Sequence, residues 1–405
     1  YRRQRQMCIR DRPTADSTYI PMELKITRGT IRTNPVPYYG MVDKNIGYIA
    51  ISTFAIEGCS KDIKKALIEL KQQGATSIVL DLRGNGGGLL SEAVNVVNFF
   101  VPKGKEIVVT KGKIKQAGST YKTSNEPIDM EIPLTVLVDG ATASAAEIVS
   151  GSLQDLDRAV IVGNRTYGKG LVQVPRELPY NSSMKVTTAK YYIPSGRCIQ
   201  AIDYAKRNAD GSVARIPDSL TTVFHTAAGR EVRDGGGIRP DVEVKAERFP
   251  NIMFYLLNDD MIFDYATQYC IKHPNIGEVK DFSVTDADYD DFKQMLKKRN
   301  FTYDRQSEKS LKNLKEIAEF EGYMEGASEE FAALEKKLTH NLDHELNRFS
   351  KQIRKAIAEE IVKRHYFQRG VILERMKDDA NLTKAIETLK DKEGYTKILS
   401  VPADK

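Results

Sequence analysis

The chain has 405 residues, a formal net charge of +6 and four widely separated cysteines. This length allows two or three domains with a substantial core, and no run approaches the ~20 apolar residues that a membrane-spanning helix needs. The cysteines form no C-x-x-C pair, so neither a zinc site nor a disulfide framework is indicated. The basic excess lies in residues 1–12 and the rest is close to neutral, which gives no support for nucleic-acid binding.

The N-terminal residues are unusual in composition. Residues 1–12 read YRRQRQMCIRDR, which lacks the apolar stretch of a signal peptide. They resemble the read-through of a sequencing adapter, so we expect them to be non-native and the true N-terminus to be missing. Residues 13–40 contain an alternating stretch, Pro21–Gly29, typical of a half-buried strand, and then a linker at 34–37. We interpret the stretch as the last strand of a preceding domain.

From residue 41 to residue 246 the pattern alternates between strands and helices, which predicts an α/β fold with a parallel sheet and crossover helices. The predicted strands cover residues 46–54, 77–82, 106–110, 133–138 and 158–162, and the predicted helices cover 61–73, 92–100 and the residues after Ser144. Residues 168–200 and 221–246 are β-rich. Helical periodicity and charge dominate residues 247–405, which predicts a separate, mostly α-helical region with solvated charged faces.

Ser144 stands where the predicted strand 133–138, after an Asp139–Gly140 turn, leads into a helix. At such a position the serine hydroxyl can point into a cleft, beside backbone N–H groups that have no partners within the helix. A plain N-cap in a small-residue stretch explains the same pattern. Taken alone, the stretch Ala141–Ile148 favours the N-cap.

A nucleophilic serine needs a base, and the positions of the five histidines restrict the choice. The first is His225, so a Ser-His-Asp arrangement would have to use His225 or a histidine of the tail. A neutral lysine is an alternative base. Lys169 follows Ser144 by 25 residues, in a stretch (166–175) without acidic residues, where burial would lower the lysine pKa from ~10.4. Gln173 can hold the amine by a hydrogen bond without adding charge.

Acyl transfer also needs donors for an oxyanion, and the glycine-rich residues 84–88 offer them. At the C-terminal end of a parallel strand their backbone N–H groups face no side-chain obstruction, and each such donor is typically worth ~3 kcal/mol of transition-state stabilisation. The N–H of Ala145 is a second candidate donor. A glycine-rich turn that serves only tight packing explains residues 84–88 equally well.

Two other patterns suggest ligands. Residues Gly163–Lys169 read G-x-x-x-x-G-K, as a phosphate-binding P-loop does, but Gly170 replaces the required Ser or Thr and a strand is predicted instead of a helix. His340 and His344 are spaced i, i+4, which can bind a metal. Their stretch is strongly charged, so a solvated helix face is favoured. We therefore expect no nucleotide, cofactor or metal.

Taken together, these residues resemble the C-terminal processing peptidases, or tail-specific proteases, of serine peptidase family S41. The resemblance covers roughly residues 22–245 and rests on IVLDLRGNGGGLLSEAV (78–94), VLVDGATASAAEIVSGSLQD (136–155), AVIVGNRTYGKGLVQ (159–173), AKYYIPSGRCIQ (189–200) and FHTAAGREVRDGGGIRPDVEV (224–244). The tail, including KRHYFQRG (363–370), resembles the extension of Bacteroidetes-type members. The resemblance implies a crotonase-like (ClpP-like) core and maps the catalytic serine, lysine and lysine-orienting glutamine of the family onto Ser144, Lys169 and Gln173.

The resemblance implies a serine endopeptidase that cleaves proteins near their C-termini with a Ser-Lys dyad and no metal or cofactor, and with the N–H groups of Gly87 and Ala145 as the oxyanion hole. It also implies unfolded or C-terminally exposed polypeptide substrates, no nucleic-acid partner, and a periplasmic location with an optional membrane tether through the missing N-terminus. Family members usually carry a PDZ domain before the core, of which we expect only a remnant in residues 13–40. A catalytically silent polypeptide-binding scaffold is the alternative, and a crotonase-type acyl-CoA enzyme, which would not need a Ser-Lys pair, is a third.

Overall fold

The computed structural model describes residues 7–13, 19–25, 27, 29, 33–113, 118–207, 213–245, 247, 249–338 and 341–400. Contacts divide the chain into two compact units. One, called the helical unit below, consists of Tyr1–Thr30 and Glu247–Lys377. The other, called the core unit, consists of Ile31–Ala246 and Asp378–Lys405. It contains the candidate catalytic and oxyanion residues Ser144, Lys169, Gln173, Gly87 and Ala145.

The described residues form sixteen strands and twelve α-helices. The strands are β1 (Met7–Pro13), β2 (Tyr19–Lys25), β3 (Tyr38–Asp43), β4 (Ile46–Ala50), β5 (Ser77–Asp81), β6 (Glu106–Gly112), β7 (Ser119–Lys122), β8 (Leu134–Val138), β9 (Val160–Gly163), β10 (Leu171–Leu178), β11 (Ser182–Tyr192), β12 (Ile202–Arg207), β13 (Val213–Arg215), β14 (Val223–His225), β15 (Glu231–Arg233) and β16 (Val242–Glu243). The helices are α1 (Cys59–Gln72), α2 (Leu90–Val97), α3 (Ala145–Asp155), α4 (Asn251–Asn258), α5 (Met261–Lys272), α6 (Asp286–Lys298), α7 (Gln306–Phe320), α8 (Met324–Leu338), α9 (Leu342–Arg348), α10 (Ser350–Met376), α11 (Ala380–Lys390) and α12 (Lys392–Leu399).

The core unit is built on a six-stranded sheet in the order β16-β9-β8-β5-β4-β3. Only β3 and β4 pair antiparallel in this sheet, and the other neighbours pair parallel. Every residue of β4, β5, β8 and β9 is buried, as is typical of parallel strands covered on both faces. The predicted α/β fold with a parallel sheet is confirmed.

Side chains alternate between the two faces of this sheet. On one face, Ile78, Leu80 and Val136 belong to a large apolar cluster. The helices α1, α2 and α3 contribute the buried residues Ile63, Leu67, Leu70, Ala93, Val96, Val97, Val149 and Leu153 to the same cluster. By alternation, the buried residues Val79 and Leu137 face the opposite side, where α11 contacts β5, β8 and β9.

A second sheet lies in the β-rich part of the core unit. Its strand order is β10-β11-β6-β7, with β10 at one edge. β12 pairs with β13, and β14 pairs with β15, as separate hairpins. The β-rich character predicted for residues 168–200 and 221–246 is confirmed by these strands.

The N-terminal described residues form a hairpin. β1 pairs antiparallel with β2, and Met7 lies opposite Lys25. β2 covers the first part of the strand predicted at Pro21–Gly29, and residues 26, 28 and 30–32 lie outside the described residues. The structure thus pairs part of residues 1–12, which the sequence interpretation set aside, with the strand that follows.

The helical unit has its own apolar core. The buried side chains of α4, α5, α6 and α10 form one cluster that includes Leu256, Tyr265, Phe292, Ile357 and Ile361. The mostly helical character predicted after residue 247 is confirmed. No helix in the described ranges has the length and apolarity needed to cross a membrane.

The C-terminal residues divide between the two units. The sequence pattern predicts one helical region over residues 247–405, and in the structure the segment from Asp378 onward groups with the core unit. Its helix α11 buries Leu382, Ala385 and Leu389 on the side of the sheet that α1, α2 and α3 leave uncovered. An amphipathic pattern shows that a helix has an apolar face, but it does not show which surface that face covers.

Candidate active site

Ser144 lies where β8 leads into α3, at the end of a turn formed by residues 139–144, called the serine turn below. Thr142 fixes this turn, because its hydroxyl donates to Leu82 O (2.8 Å) and its N–H donates to Asp139 Oδ1 (3.0 Å). Ser144 is half-buried and has φ 58° and ψ −118°, a conformation that strains a non-glycine residue. An ordinary N-cap residue has extended backbone angles, so this geometry favours a functional position over a plain N-cap.

Glu147, in the first turn of α3, is fully buried. Its Oε2 accepts hydrogen bonds from the backbone N–H groups of Ser144 (2.8 Å) and Lys169 (2.9 Å). Its Oε1 accepts from the Thr166 hydroxyl (2.5 Å) and the Gly168 N–H (2.7 Å). Burial raises the pKa of the Glu147 carboxyl to about 7, although these hydrogen bonds act to lower it. One carboxylate therefore joins the serine turn to the loop that carries Lys169.

Tyr191 makes the same connection through carbonyl groups. Its hydroxyl, on the end of β11, lies within hydrogen-bond distance of the carbonyl oxygens of Ser144 (3.2 Å) and Lys169. The side chain is buried, and burial raises the pKa of the Tyr191 phenol well above its usual range. The phenol therefore stays protonated and able to donate. Together with Glu147, it holds the backbones of Ser144 and Lys169 side by side.

Lys169 is half-buried in the loop between β9 and β10. The next residue, Gly170, is fixed by a hydrogen bond from its N–H to Gln200 Oε1 (2.7 Å). Gln173 lies in β10, beside a bulge between Val172 and Gln173, and is exposed. Among the described residues no hydrogen bond joins Gln173 to Lys169, so the orienting role of Gln173 stays a prediction.

Residues 84–88, called the glycine loop below, pack directly against the serine turn. A Cβ on Gly87 would lie 2.7 Å from Ala143 O and 2.8 Å from Ala145 N, and Gly87 has a φ of +95°. Only glycine fits such a position. The buried Asn85 ties the two segments together, because its carbonyl oxygen accepts the Ala143 N–H (2.9 Å).

The two N–H groups expected to form an oxyanion hole differ in this structure. The N–H of Ala145, at the first position of α3, makes no hydrogen bond with any described residue. The N–H of Gly87 instead donates to Asn85 Oδ1 (2.9 Å), since asparagine in a turn bonds backbone groups two residues on. The expectation that both groups are open is thus corrected for Gly87, which can act only when this bond is released or shared.

The P-loop-like stretch and the histidines noted in the sequence form no ligand site with Ser144 among the described residues. The residues after Gly163–Lys169 form strand β10 and not a helix, so the P-loop interpretation is excluded. His225 is exposed in β14, and His340 lies outside the described residues. Within the described ranges no group of three or more His, Cys, Asp or Glu residues is arranged to hold a metal ion.

Comparison with protein families separates two regions. The family model described as "Peptidase family S41" matches residues 45–206, which include the serine turn, the glycine loop and Lys169. Residues 45–206 form a domain of peptidase family S41. A second family model, described as "Probable PDZ-protease, C-terminal helical domain", matches residues 252–389.

The S41 domain is similar to several processing proteases. A carboxy-terminal-processing protease of Bartonella bacilliformis is 39% identical over 188 residues, which cover 45% of this chain and 42% of that protein. A carboxyl-terminal-processing protease of Picosynechococcus is 41% identical over 174 residues, which cover 42% of this chain and 41% of that protein. The matched part spans less than half the length of either relative.

Among solved structures, the photosystem II D1 C-terminal processing protease is 30% identical. That match covers 57% of this chain and 53% of the D1 processing protease, with a TM-score of 0.40.

Sequence reasoning missed two residues that hold the S41 site together. Glu147 has a local signal, because Ser144 and Glu147 follow the S-x-x-E pattern of a capping box, which predicts its bond to the serine N–H. That pattern carries no information on the bonds to residues 166–169. Tyr191 has no signal at all, since its contacts join residues 47 and 22 positions apart in the chain.

Proposed function

We propose that the S41 domain is the catalytic domain of a serine endopeptidase, with Ser144 as the nucleophile and Lys169 as the general base. One observation carries the proposal: Glu147 Oε2 accepts the backbone N–H of both residues, and the Tyr191 hydroxyl contacts the carbonyl groups of both. Because these anchors hold the two backbones next to each other, they support a pairing of Ser144 with Lys169, which also requires the two side chains to come within hydrogen-bond reach. The names of the relatives support a protease.

The proposed reaction begins with proton transfer from Ser144 Oγ to the neutral amine of Lys169, while Oγ bonds to the peptide carbonyl carbon. The tetrahedral intermediate collapses as the carbon–nitrogen bond breaks, and Lys169 returns the proton to the leaving amine. Water then attacks the acyl-serine carbonyl carbon while Lys169 takes a proton from the water. The carbon–Oγ bond breaks, Lys169 returns the proton to Ser144 Oγ, and the peptide leaves with a new C-terminal carboxyl group. Gln173 is proposed to orient the lysine amine.

The negative charge of the tetrahedral intermediate needs hydrogen-bond donors fixed in advance. The N–H of Ala145 is the first proposed donor, because it stands at a helix start beside Ser144 and makes no bond with the described residues. The N–H of Gly87 is the second, and it requires release or sharing of the bond to Asn85 Oδ1. We propose that substrate entry makes this exchange.

We propose polypeptides cleaved near their C-termini as substrates, because the relatives are named carboxyl-terminal-processing proteases. The proposed core fold is crotonase-like, on the grounds of the parallel sheet with helices after its strands. We also propose a periplasmic location, on the grounds of the family resemblance alone.

Digestion of β-casein tests the proposal. The wild-type chain should release peptides that accumulate with time, and Ser144→Ala should release none while keeping the same circular dichroism spectrum. Ser150→Ala is a matched control, since Ser150 lies on the same helix and its hydroxyl bonds only within that helix. Binding of casein without cleavage by the wild type would support the scaffold alternative, and equal cleavage by Ser144→Ala would contradict the proposal.

A further inference from the structure

The C-terminal helices α11 and α12 cover the face of the core sheet that lies opposite α1, α2 and α3. α11 contacts β5, β8 and β9, and α12 contacts β9. Polar groups anchor the segment at its far end: the Tyr395 hydroxyl bonds Leu134 N (3.0 Å) and O (3.2 Å), and Lys390 pairs with Asp43 (2.6 Å). Residues 378–399 therefore pack on the second face of the sheet.

At its near end, the segment is joined to the core by a charged cluster. Arg83 Nη1 and Nη2 donate to Asp379 Oδ1 (3.0 Å) and Oδ2 (2.6 Å), which is a bidentate pair. The same guanidinium donates to Asp81 Oδ1 (3.0 Å) and Oδ2 (2.6 Å) through Nε and Nη2. The side chains of both aspartates are only 9% exposed, and that of Arg83 is 23% exposed. Such two-pronged pairs fix geometry more strictly than single contacts do.

Arg83 is also the residue from which the glycine loop starts. Its backbone N–H donates to Asp81 Oδ1 (2.9 Å), and the N–H of Gly84 donates to Asp139 Oδ1 (3.0 Å) in the serine turn. Arg83, next to the first residue of the glycine loop, is therefore held by one carboxylate from β5 and one from the C-terminal segment. It joins Asp379 to the start of the loop.

We propose that Asp379 and Arg83 are positioning residues of the active site, through which the C-terminal segment 378–399 sets the glycine loop for oxyanion binding. This inference rests on the proposed function, since it assigns the loop a part in the reaction. Asp379 is also the N-cap of α11, where its Oδ1 accepts the N–H groups of Asn381 and Leu382 (3.0 Å each). One side chain thus starts the covering helix and holds the arginine at the loop.

Removing the charge of Asp379 tests whether its pair with Arg83 positions the glycine loop. Burial alone would raise the pKa of Asp379, but the bonds to Arg83 lower it below its usual value, so the carboxylate is charged at neutral pH. Asp379→Asn keeps the size of the side chain and a good N-cap. Its amide nitrogen then either faces the Arg83 guanidinium, donor against donor, or displaces the capping oxygen.

Tyr395→Phe is the matched control. It loosens the same segment by removing a half-buried hydroxyl, but it acts at Leu134, the first residue of β8, whereas the serine turn follows the last residue of β8. The rescue variant is Asp379→Glu, which restores the charge. Melting temperature, kcat and KM on an internally quenched peptide, and hydrogen–deuterium exchange of the peptide containing residues 84–88 are measured for all four chains.

The proposal predicts that Asp379→Asn lowers kcat roughly tenfold, with KM changed less than twofold, and speeds exchange in the glycine loop. Tyr395→Phe should lower the melting temperature and leave kcat and loop exchange at wild-type values, and Asp379→Glu should recover most of kcat. The proposal would be overturned if kcat fell in both Asp379→Asn and Tyr395→Phe in proportion to the fall in their melting temperatures.

The exchange measurement separates this inference from the proposed function. If the wild type cleaves no peptide, the proposed function fails, but faster loop exchange in Asp379→Asn than in Tyr395→Phe still supports the positioning role. If the wild type is active and loop exchange and kcat are unchanged in Asp379→Asn, the positioning role fails alone.

Discussion

The core unit and the helical unit bury different kinds of side chain. Among the described residues, the helical unit buries one charged side chain, Glu374, and its other buried side chains are aliphatic or aromatic. The core unit buries many polar or charged side chains, and its α3 holds two carboxylates, Glu147 and Asp155, that are at most 1% exposed. Asp155 is paired with the equally buried Arg197 at 2.7 Å.

The larger number of buried polar side chains in the core unit indicates that its backbone is held in one fixed arrangement. A buried polar group destabilises the fold unless hydrogen bonds satisfy it, and a fully bonded network specifies one arrangement of the surrounding backbone. In the core unit such a network surrounds the serine turn, through Glu147, Asn85 and Tyr191. The helical unit is held together mainly by apolar packing. Substitutions in the two units should therefore have different consequences for activity.

The largest effect is expected at Lys169. Lys169→Ala and Lys169→Arg should each lower kcat/KM by about 10³-fold or more, because alanine provides no base and arginine does not lose its proton. Casein hydrolysis at pH 8 measures this. Lys185→Arg, at an exposed position of β11, is the control and should keep wild-type activity. Retained activity in Lys169→Ala would remove the dyad from the account.

Glu147→Gln should come next, with a loss of about 10²-fold in kcat. A glutamine has one acceptor oxygen, so its NH₂ group must face donors at either Ser144 and Lys169 or Thr166 and Gly168. Glu92→Gln is the matched control, because Glu92 is another buried carboxylate that accepts two backbone N–H groups, those of Gly58 (2.9 Å) and Ser60 (2.8 Å). Equal losses of kcat in both variants would show that any buried carboxylate of the domain has the same effect.

The buried carboxyl group of Glu147 should make the free energy of unfolding of the core unit depend on pH. Because burial raises the pKa of Glu147 from 4.5 to about 7, the folded core holds a proton that the unfolded chain releases between these values. This contribution to stability is complete below pH 4.5 and is lost as the pH rises through about 7. The free energy of unfolding of the wild type should fall by about 3 kcal/mol more over this range than that of Glu147→Gln, as measured by urea titration. If the free energies of unfolding of the wild type and of Glu147→Gln changed with pH in the same way, the raised pKa of Glu147 would be contradicted.

The smallest effect on chemistry is expected in the helical unit. Ile357→Ala removes a fully buried side chain of α10 and should destabilise that unit by about 2–5 kcal/mol. It should change cleavage of a short peptide less than twofold below the unfolding temperature, because the network around Ser144 lies in the other unit. A parallel fall in peptide cleavage and in the melting temperature would place part of the catalytic apparatus outside the core unit.

Local pattern predicted the strands, the helices and the strand-to-helix position of Ser144, since periodicity and turn residues act over short distances. The pairing of Ser144 with Lys169 was predicted from the positions of the histidines, from the acid-free stretch around Lys169 and from the family resemblance, and the bonds of Glu147 support it. The Tyr191 contacts, the bond that occupies the Gly87 N–H, and the return of residues 378–399 to the core could not be predicted. Each depends on side chains that meet across long chain separations, which leave no periodic signal in the sequence.

The most direct test of the central claim is the reaction of the full chain with a fluorophosphonate, followed by mass spectrometry of the modified peptide. The account predicts a single adduct on Ser144, formed at least ~10²-fold more slowly in Lys169→Ala with an unchanged circular dichroism spectrum. An adduct on another serine, or an equal rate in Lys169→Ala, would contradict it.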